Sequence, residues 1–160
     1  MLGVFGAVGE DLGALYQTFK GTMAQVPDDM DTVATVIGEA ATRFADSTQS
    51  SLRDVSQTAL DFARVTGGDA TTAIQSLGQA AHVFGLNADQ AVEAMNVWTG
   101  VAQKTGISGN ELATILAKNA TLFDNVGIDA SEAAVLIGQF HAAGIKSNVV
   151  PTTLDLIPAA

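Results

Sequence analysis

Gly85-Leu86-Asn87-Ala88-Asp89-Gln90 is the first of three copies of a six-residue pattern that decides the fold. The other copies are GISGNE at 106–111 and GIDASE at 127–132, so successive copies begin 21 residues apart, at positions 85, 106 and 127. Each copy has a glycine, a branched aliphatic residue, a capping residue and, three positions after the cap, Gln or Glu. This order places the end of one helix next to the start of another.

Each copy contains the residues needed to close one helix and to open the next. Glycine adopts the left-handed conformation that ends a helix, and the aliphatic residue after it folds back onto the last turn. The capping residue then accepts hydrogen bonds from the amides of a new first turn, while the Gln or Glu reaches back as in a capping box. The predicted turn and cap residues are Gly85, Leu86, Asn87, Gln90, Gly106, Ile107, Ser108, Glu111, Gly127, Ile128, Asp129 and Glu132.

Shorter versions of the pattern stand on both sides of the three copies. Gly67, Gly68 and Asp69 precede them, with Asp69 as the predicted cap of a further helix. Gly144 and Ile145 follow them, but the next residue is Lys rather than a cap, and prolines interrupt the sequence soon afterwards. The repeat therefore has an incomplete copy at each end.

The apolar residues between the turns recur at helical spacing, and no segment alternates as a strand would. One example is the stripe that runs from Leu112 to Val126, which predicts a single helix of about four turns. An earlier stripe between Leu12 and Met23 predicts a helix near the N-terminus. We therefore expect an all-α fold of about seven helices. Because the turns are short, we expect the helices to form an array of antiparallel hairpins.

The polar, cap-rich run at 46–51 is the best internal boundary of the chain. The sequence thus predicts an N-terminal helical segment at 1–46 and a helical hairpin domain at 47–154. Residues 155–160 end on Ala159-Ala160 without completing an element, which is typical of a truncated end.

Composition argues against several classes of function. There are 17 acidic and 7 basic residues, a net charge of −10, so direct binding to nucleic acid is not expected. The chain has no cysteine, which excludes disulfides and thiolate chemistry within it. The apolar start at 1–8 lacks a basic region and is too short to cross a membrane.

The residue types used for catalysis do not form a recognisable site. His82 and His141 each stand three residues before a glycine, where a cationic group interacts favourably with the helix C-terminus. Neither has a His or carboxylate at the spacing of a helical metal site. Trp98 fits the apolar stripe of its helix better than a ligand platform. We expect no enzyme activity, no cofactor and no metal.

The order of the turns resembles the helical region of phage tail tape-measure proteins. The resemblance lies in the series TGGD at 66–69, FGL at 84–86, TGIS at 105–108, VGI at 126–128 and AAGI at 142–145, and it extends over about residues 52–154. It implies a structural segment of a protein that is made in the host cytoplasm, fills the lumen of the tail tube and sets tail length. The implied partners are the tail tube protein, tail assembly chaperones and other copies of the chain.

Two other readings of the residues stay open at this stage. A small acidic α-helical adaptor, whose hairpins present a groove to a partner helix, would have the same periodicity. An α-helical hydrolase is a remote alternative, because the abundant carboxylates could form a catalytic pair only if the fold brought two of them together across a cleft.

Overall fold

The computed structural model describes Lys20 and residues 30–145. Within this part of the chain there are seven helices and no strand, so the predicted all-α class is confirmed. The helices are α1 Met30–Arg43, α2 Gln49–Thr66, α3 Ala70–Phe84, α4 Ala88–Thr105, α5 Gly109–Lys118, α6 Ala120–Asn125 and α7 Ala130–Ala142. Apart from Lys20, the helix predicted between Leu12 and Met23 lies outside the described residues.

The predicted helix from Leu112 to Val126 is in fact two helices, and Asn119 separates them. Asn119 is buried and has φ −110° and ψ 13°, which is not helical. Its side-chain amide donates to the carbonyl of Ile115 at 3.0 Å, and its own carbonyl accepts from the amide of Phe123 at 3.1 Å. The bend lets α5 and α6 both pack against α3. The prediction of one straight helix was therefore wrong.

The most extensive packing is between helices that are separated in the chain by one or two other helices, and these helices form two layers. The layer of α2, α4 and α7 has its largest contacts between α2 and α4 and between α4 and α7. The layer of α1, α3 and α5 has its largest contacts between α3 and α5 and between α1 and α3. Helices within a layer run parallel, as shown by the first turns of α2 and α4, where Ser51 Oγ donates to Asp89 Oδ1 at 2.9 Å.

This stacking differs from an array of hairpins held together by neighbouring helices. Consecutive helices do pack together at the start, where α1, α2 and α3 all contact one another. In contrast, α3 and α4 have few contacts although only a short turn joins them. The most extensive packing is therefore within the two layers and not between helices that are joined by a turn.

A single buried apolar cluster joins residues of all seven described helices. Its largest fully buried side chains include Trp98, Phe62 and Phe123. The rings of Phe62 and Trp98 meet edge to face with their centroids 6.5 Å apart, which connects α2 to α4. Val33, Ile37 and other residues of α1 belong to the same cluster. Across residues 30–145, none of the helices has the length and apolar content that a bilayer crossing requires.

Candidate functional site

The turns between the helices contain five glycines with left-handed backbone angles. Their φ values lie between 70° and 80°, a region in which residues with a Cβ are strained. After four of these helices, the residue that follows the left-handed glycine donates its amide to a carbonyl five residues back; the donors are Gly68, Leu86, Ile128 and Ile145. This is the 6→1 hydrogen bond of the Schellman motif, which closes the C-terminus of a helix. The five glycines are Gly67, Gly85, Gly106, Gly127 and Gly144.

The capping residues accept hydrogen bonds from the first turn of the helix that follows. Asn87 and Asp129 form full capping boxes. Their side chains accept from the backbone amides of Gln90 and Glu132 at 2.8 Å. In return, the side chains of Gln90 and Glu132 accept from the backbone amides of Asn87 and Asp129. Ser108 accepts from the amide of Glu111 at 3.1 Å. The Glu111 side chain does not complete a box, in contrast to the expected pattern.

The middle turn also ends its helix differently. The amide of Ile107 donates to Thr105 Oγ1 at 3.4 Å, and the same hydroxyl donates to the carbonyl of Val101 at 2.8 Å. The carbonyl of Ala102, five residues before Ile107, accepts instead from the amide of Gly106 at 3.0 Å, so this helix ends without the hydrogen bond that closes the other four. Ile107 itself is buried.

The first and third turns interlock, and their two glycines permit the close approach. The Asn110 side chain, in the first turn of α5, accepts from the amide of Asp69 at 2.8 Å. A Cβ on Gly68 would lie 2.8 Å from Asn110 Oδ1, and a Cβ on Gly109 would overlap the Thr66 side chain. Asn110 therefore supplies to α3 the hydrogen bond that a capping box would take from its own helix.

Two further pairs of connections meet at the ends of the helices. Leu86 and Asn87 line a surface cavity of about 370 Å³ together with the loop at 44–48. At the opposite end, Ile107, Glu111 and Ile145 surround a cavity of about 10 Å³ with the side chains of Phe140 and His141. The predicted turn residues are thus brought together in pairs of turns and not in one catalytic cleft.

The cationic side chains near helix ends lie on the surface. His82 is exposed in the last turn of α3, and His141 is half-buried in the last turn of α7. Arg64 forms an exposed ion pair with Asp61 on α2. In residues 30–145 no group of His and carboxylate side chains has the geometry to hold a metal ion.

Trp98 is fully buried and joins α4 to α7. Its indole Nε1 donates to the carbonyl of Ala130 at 3.2 Å, which satisfies one of the few polar atoms in the core. Beside it, Gly138 of α7 lies so close to Val101 that a Cβ would overlap that side chain. Trp98 is therefore a core residue that fixes the start of α7 on α4.

The outer faces of α4 and α7 form an apolar groove. Two adjoining depressions, of about 460 and 680 Å³, share Val97, Val135 and Gln139 in their walls. Val97 is 37% exposed and Val135 43% exposed, which are high values for β-branched apolar side chains. We call this feature the α4–α7 groove. Of the turn and cap residues predicted from the sequence, Ile128 and Glu132 line its smaller depression.

Sequence reasoning missed two residues that the structure makes important. Asn119 has a local signal, because it is a polar residue in phase with the buried stripe of its helix and a poor helix former. Asn110 has no such signal, since its hydrogen-bond partner is 41 residues away.

Comparison with known proteins identifies the family. The family model described as phage-related minor tail protein matches residues 30–156, which is more than half of the chain. A tape measure protein of Pneumococcus phage Dp-1 is 32% identical over 95 residues, and these cover 59% of this chain but 8% of that relative. The chain thus spans a small part of the length of this relative. No solved structure matches the chain.

The matched region contains all the turns on which the resemblance to tape-measure proteins was based, and it adds α1. The resemblance is therefore confirmed. On this evidence the chain belongs to the phage-related minor tail protein family and has a structural role in a phage tail.

Proposed function

We propose that this chain is a segment of a tape-measure protein that contributes to tail-length determination and to assembly of the tail tube. It acts by packing against other proteins in the lumen of the tube, with the tail tube protein, the assembly chaperones and other copies of itself as partners. The observation that carries this proposal is the match to a tape measure protein many times longer than the chain. The fold agrees with it, because the turn residues Asp69 and Asn110 join stacked helices and the turn glycines permit their close approach.

We further propose that the stacked hairpins are the form of the segment before the tube closes around it. A ruler must lie along the tube. As one continuous helix, residues 30–145 would extend for about 170 Å at ~1.5 Å per residue, whereas its longest folded helices, of 18 residues, reach only about 27 Å. The folded segment therefore contributes little length.

Opening the segment has two energetic costs of very different size. Placing the turn glycines inside a helix costs about 1 kcal/mol each relative to alanine. Exposing the core costs more, since each Å² of apolar surface returned to water is unfavourable by about 25 cal/mol. The wall of the tube and neighbouring helices in the lumen must cover that surface again for opening to occur.

An in-frame deletion of the codons for residues 30–145 in the phage gene tests the proposal. We expect tails shortened by about 170 Å, measured by electron microscopy of purified virions. Duplication of the same codons is the matched control and should lengthen tails by a similar amount. Tails of unchanged length, assembled at unchanged yield, would contradict a role in length determination. A change of only about 27 Å would show that the segment stays folded in the tail.

A disulfide between stacked helices tests the opening step separately. Ser51 and Asp89 are in hydrogen-bond contact across α2 and α4, and the chain has no cysteine of its own. We expect the Ser51→Cys, Asp89→Cys double variant to block tail assembly when oxidised and to allow it when reduced. Normal tails from the oxidised protein would show that the hairpins need not open. The single variants serve as controls.

A further inference from the structure

An exposed stripe on α4 has a charge order that is complementary to itself. It consists of Glu93, Val97, Gly100 and Lys104, whose spacings of four, three and four residues place them on one face of the helix. All four residues are exposed. Along the helix axis, the stripe has an acidic end, an apolar middle with a gap at the glycine, and a basic end.

The middle of the stripe is one wall of the α4–α7 groove. Val97 and Gly100 line it from α4, and Val135 and Gln139 line it from α7. Exposed apolar side chains that stand next to each other mark contact surfaces more often than isolated ones do. The groove is therefore the best candidate for a protein contact in the described part of the chain.

We propose that the stripe joins two copies of the chain in an antiparallel, two-fold symmetric dimer. A two-fold axis perpendicular to α4, midway between Val97 and Gly100, places Val97 of each copy over Gly100 of the other. Glu93 and Lys104 lie equally far from that axis on opposite sides. The same rotation therefore places each Glu93 opposite a Lys104, as a self-complementary interface requires.

Gly100 has no role inside its own molecule that would explain a glycine there. It lies within α4, where glycine is less favourable than alanine, and its φ is not in the left-handed region. A Cβ built on it meets no atom within 4 Å, so the internal packing leaves space for a side chain. Val97 of a second copy would fill this space, and the glycine would let the two helices approach closely.

The two charges are free to pair across such an interface. Within residues 30–145 neither Glu93 nor Lys104 forms an ion pair. The helix dipole accounts for Lys104, which lies in the last turn of α4, but not for Glu93, which lies beyond the first turn. A parallel arrangement would place like charges together, so the order of the charges selects the antiparallel one.

This inference gives a surface to the self-association named among the proposed partners. Its test uses the purified 160-residue chain without any other tail protein. If the chain does not dimerise, the proposed role in tail length is unaffected. If the tail-length experiment fails, the proposed dimer is unaffected.

Charge exchange is the most specific test, with the dissociation constant measured by sedimentation equilibrium at low salt. We expect dimerisation in the range of tens of micromolar, since larger interfaces of about 1,600 Å² begin at micromolar affinity. Glu93→Lys and Lys104→Glu should each weaken it about tenfold, because each creates two like-charge contacts. The double variant should return to within about threefold of the original value, since both contacts become attractive again.

Two matched variants control for net charge. Asp54→Lys on α2 changes the net charge as Glu93→Lys does, and Lys118→Glu in the last turn of α5 changes it as Lys104→Glu does. Both positions are exposed and lie outside the groove. We expect neither to change the dissociation constant by more than about twofold, which is within the range of exposed charges away from a contact.

Gly100→Gln tests the steric part of the proposal. Because the new side chain enters open space in the single chain, the melting temperature should be unchanged or raised. The dissociation constant of the dimer should rise by about an order of magnitude or more, because the side chain occupies the space that Val97 of the second copy would fill. A chain that is monomeric at about 1 mM would overturn the proposal, since such binding is weaker than any specific contact expected here. The proposal would also be overturned if the double charge variant dimerised as weakly as the single variants, or if Gly100→Gln left the dissociation constant unchanged.

Discussion

At the scale of single residues, Asn110 shows how one side chain can cap a helix other than its own. It lies in the first turn of α5, yet its Oδ1 accepts from the amide of Asp69 at the start of α3. Asp69 has Thr72 at the position where a capping box would have Gln or Glu, so its amide has no such partner in its own helix. The contact joins two stacked turns with one hydrogen bond.

Asn110→Ala should lower the free energy of unfolding by about 1 kcal/mol, the usual cost of losing a helix cap. Urea denaturation followed by circular dichroism measures this change. Asn96→Ala, at an exposed position inside α4, is the control and should be neutral or slightly stabilising because alanine is the better helix former. Equal stability of the two variants would mean that the bond to Asp69 contributes nothing.

A pair of helical glycines provides a second test at the residue scale. Gly109→Ala should destabilise by about 1–3 kcal/mol, because the new methyl group overlaps Thr66 and approaches Phe62 Cε1 at 3.1 Å. Gly100→Ala should instead stabilise by up to about 1 kcal/mol, since its Cβ meets nothing. Melting temperatures that shift in the same direction for both would contradict the interlocked turns.

At the scale of elements, α7 depends on α4 for its position. Trp98 supplies the hydrogen bond to Ala130 at the start of α7, and Val101 packs against Gly138 further along. The earlier residue of α4 contacts the start of α7 and the later residue contacts a later part of it, so the two helices are parallel. Trp98 and Val101 of α4 therefore hold α7 in the layer of α2, α4 and α7.

Trp98→Phe should lower the free energy of unfolding by about 1–3 kcal/mol. The variant loses the indole donor and leaves a small cavity in a fully buried site. The measurement is chemical denaturation followed by circular dichroism, because the chain has one tryptophan and the variant loses its fluorescence. Asn96→Ala, at an exposed position of the same helix outside the groove, should change stability by less than about 0.5 kcal/mol. A similar small effect for Trp98→Phe would argue against a structural role of the bond.

At the scale of the whole molecule, α1 belongs to the common core although the polar run at 46–51 separates it in sequence. Its residues Val33, Val36 and Ile37 are fully buried, and it packs on both α2 and α3. The family match also begins at residue 30, the first residue of α1. We therefore expect α1 to unfold together with the other helices.

Ile37→Ala tests this cooperativity. We expect a loss of about 2–5 kcal/mol, the range for removing a buried aliphatic side chain. Because Trp98 lies in α4, its fluorescence should report the same shifted transition as circular dichroism does. Thr42→Ala, at an exposed position of α1, should change stability by less than about 0.5 kcal/mol. An unshifted fluorescence transition in Ile37→Ala would show that α1 is a separate unit.

The sequence by itself determined where helices end and begin at the glycine turns. Glycine at a left-handed position and a cap three residues before Gln or Glu are local features, and a few consecutive residues encode them in full. Asn87 with Gln90 and Asp129 with Glu132 form boxes of this kind in the structure. The all-α class and the resemblance to tape-measure proteins followed from the same short segments.

Only the tertiary structure decided which helices meet. Contacts between α2 and α4, or between Asp69 and Asn110, join residues about 40 positions apart. The apolar pattern of one helix does not specify which other helix will pack against it. The break at Asn119 also depends on packing, because α6 bends away to cover α3. Local hydrogen bonds are specified by neighbouring residues, whereas the burial of apolar faces is a property of the assembled chain.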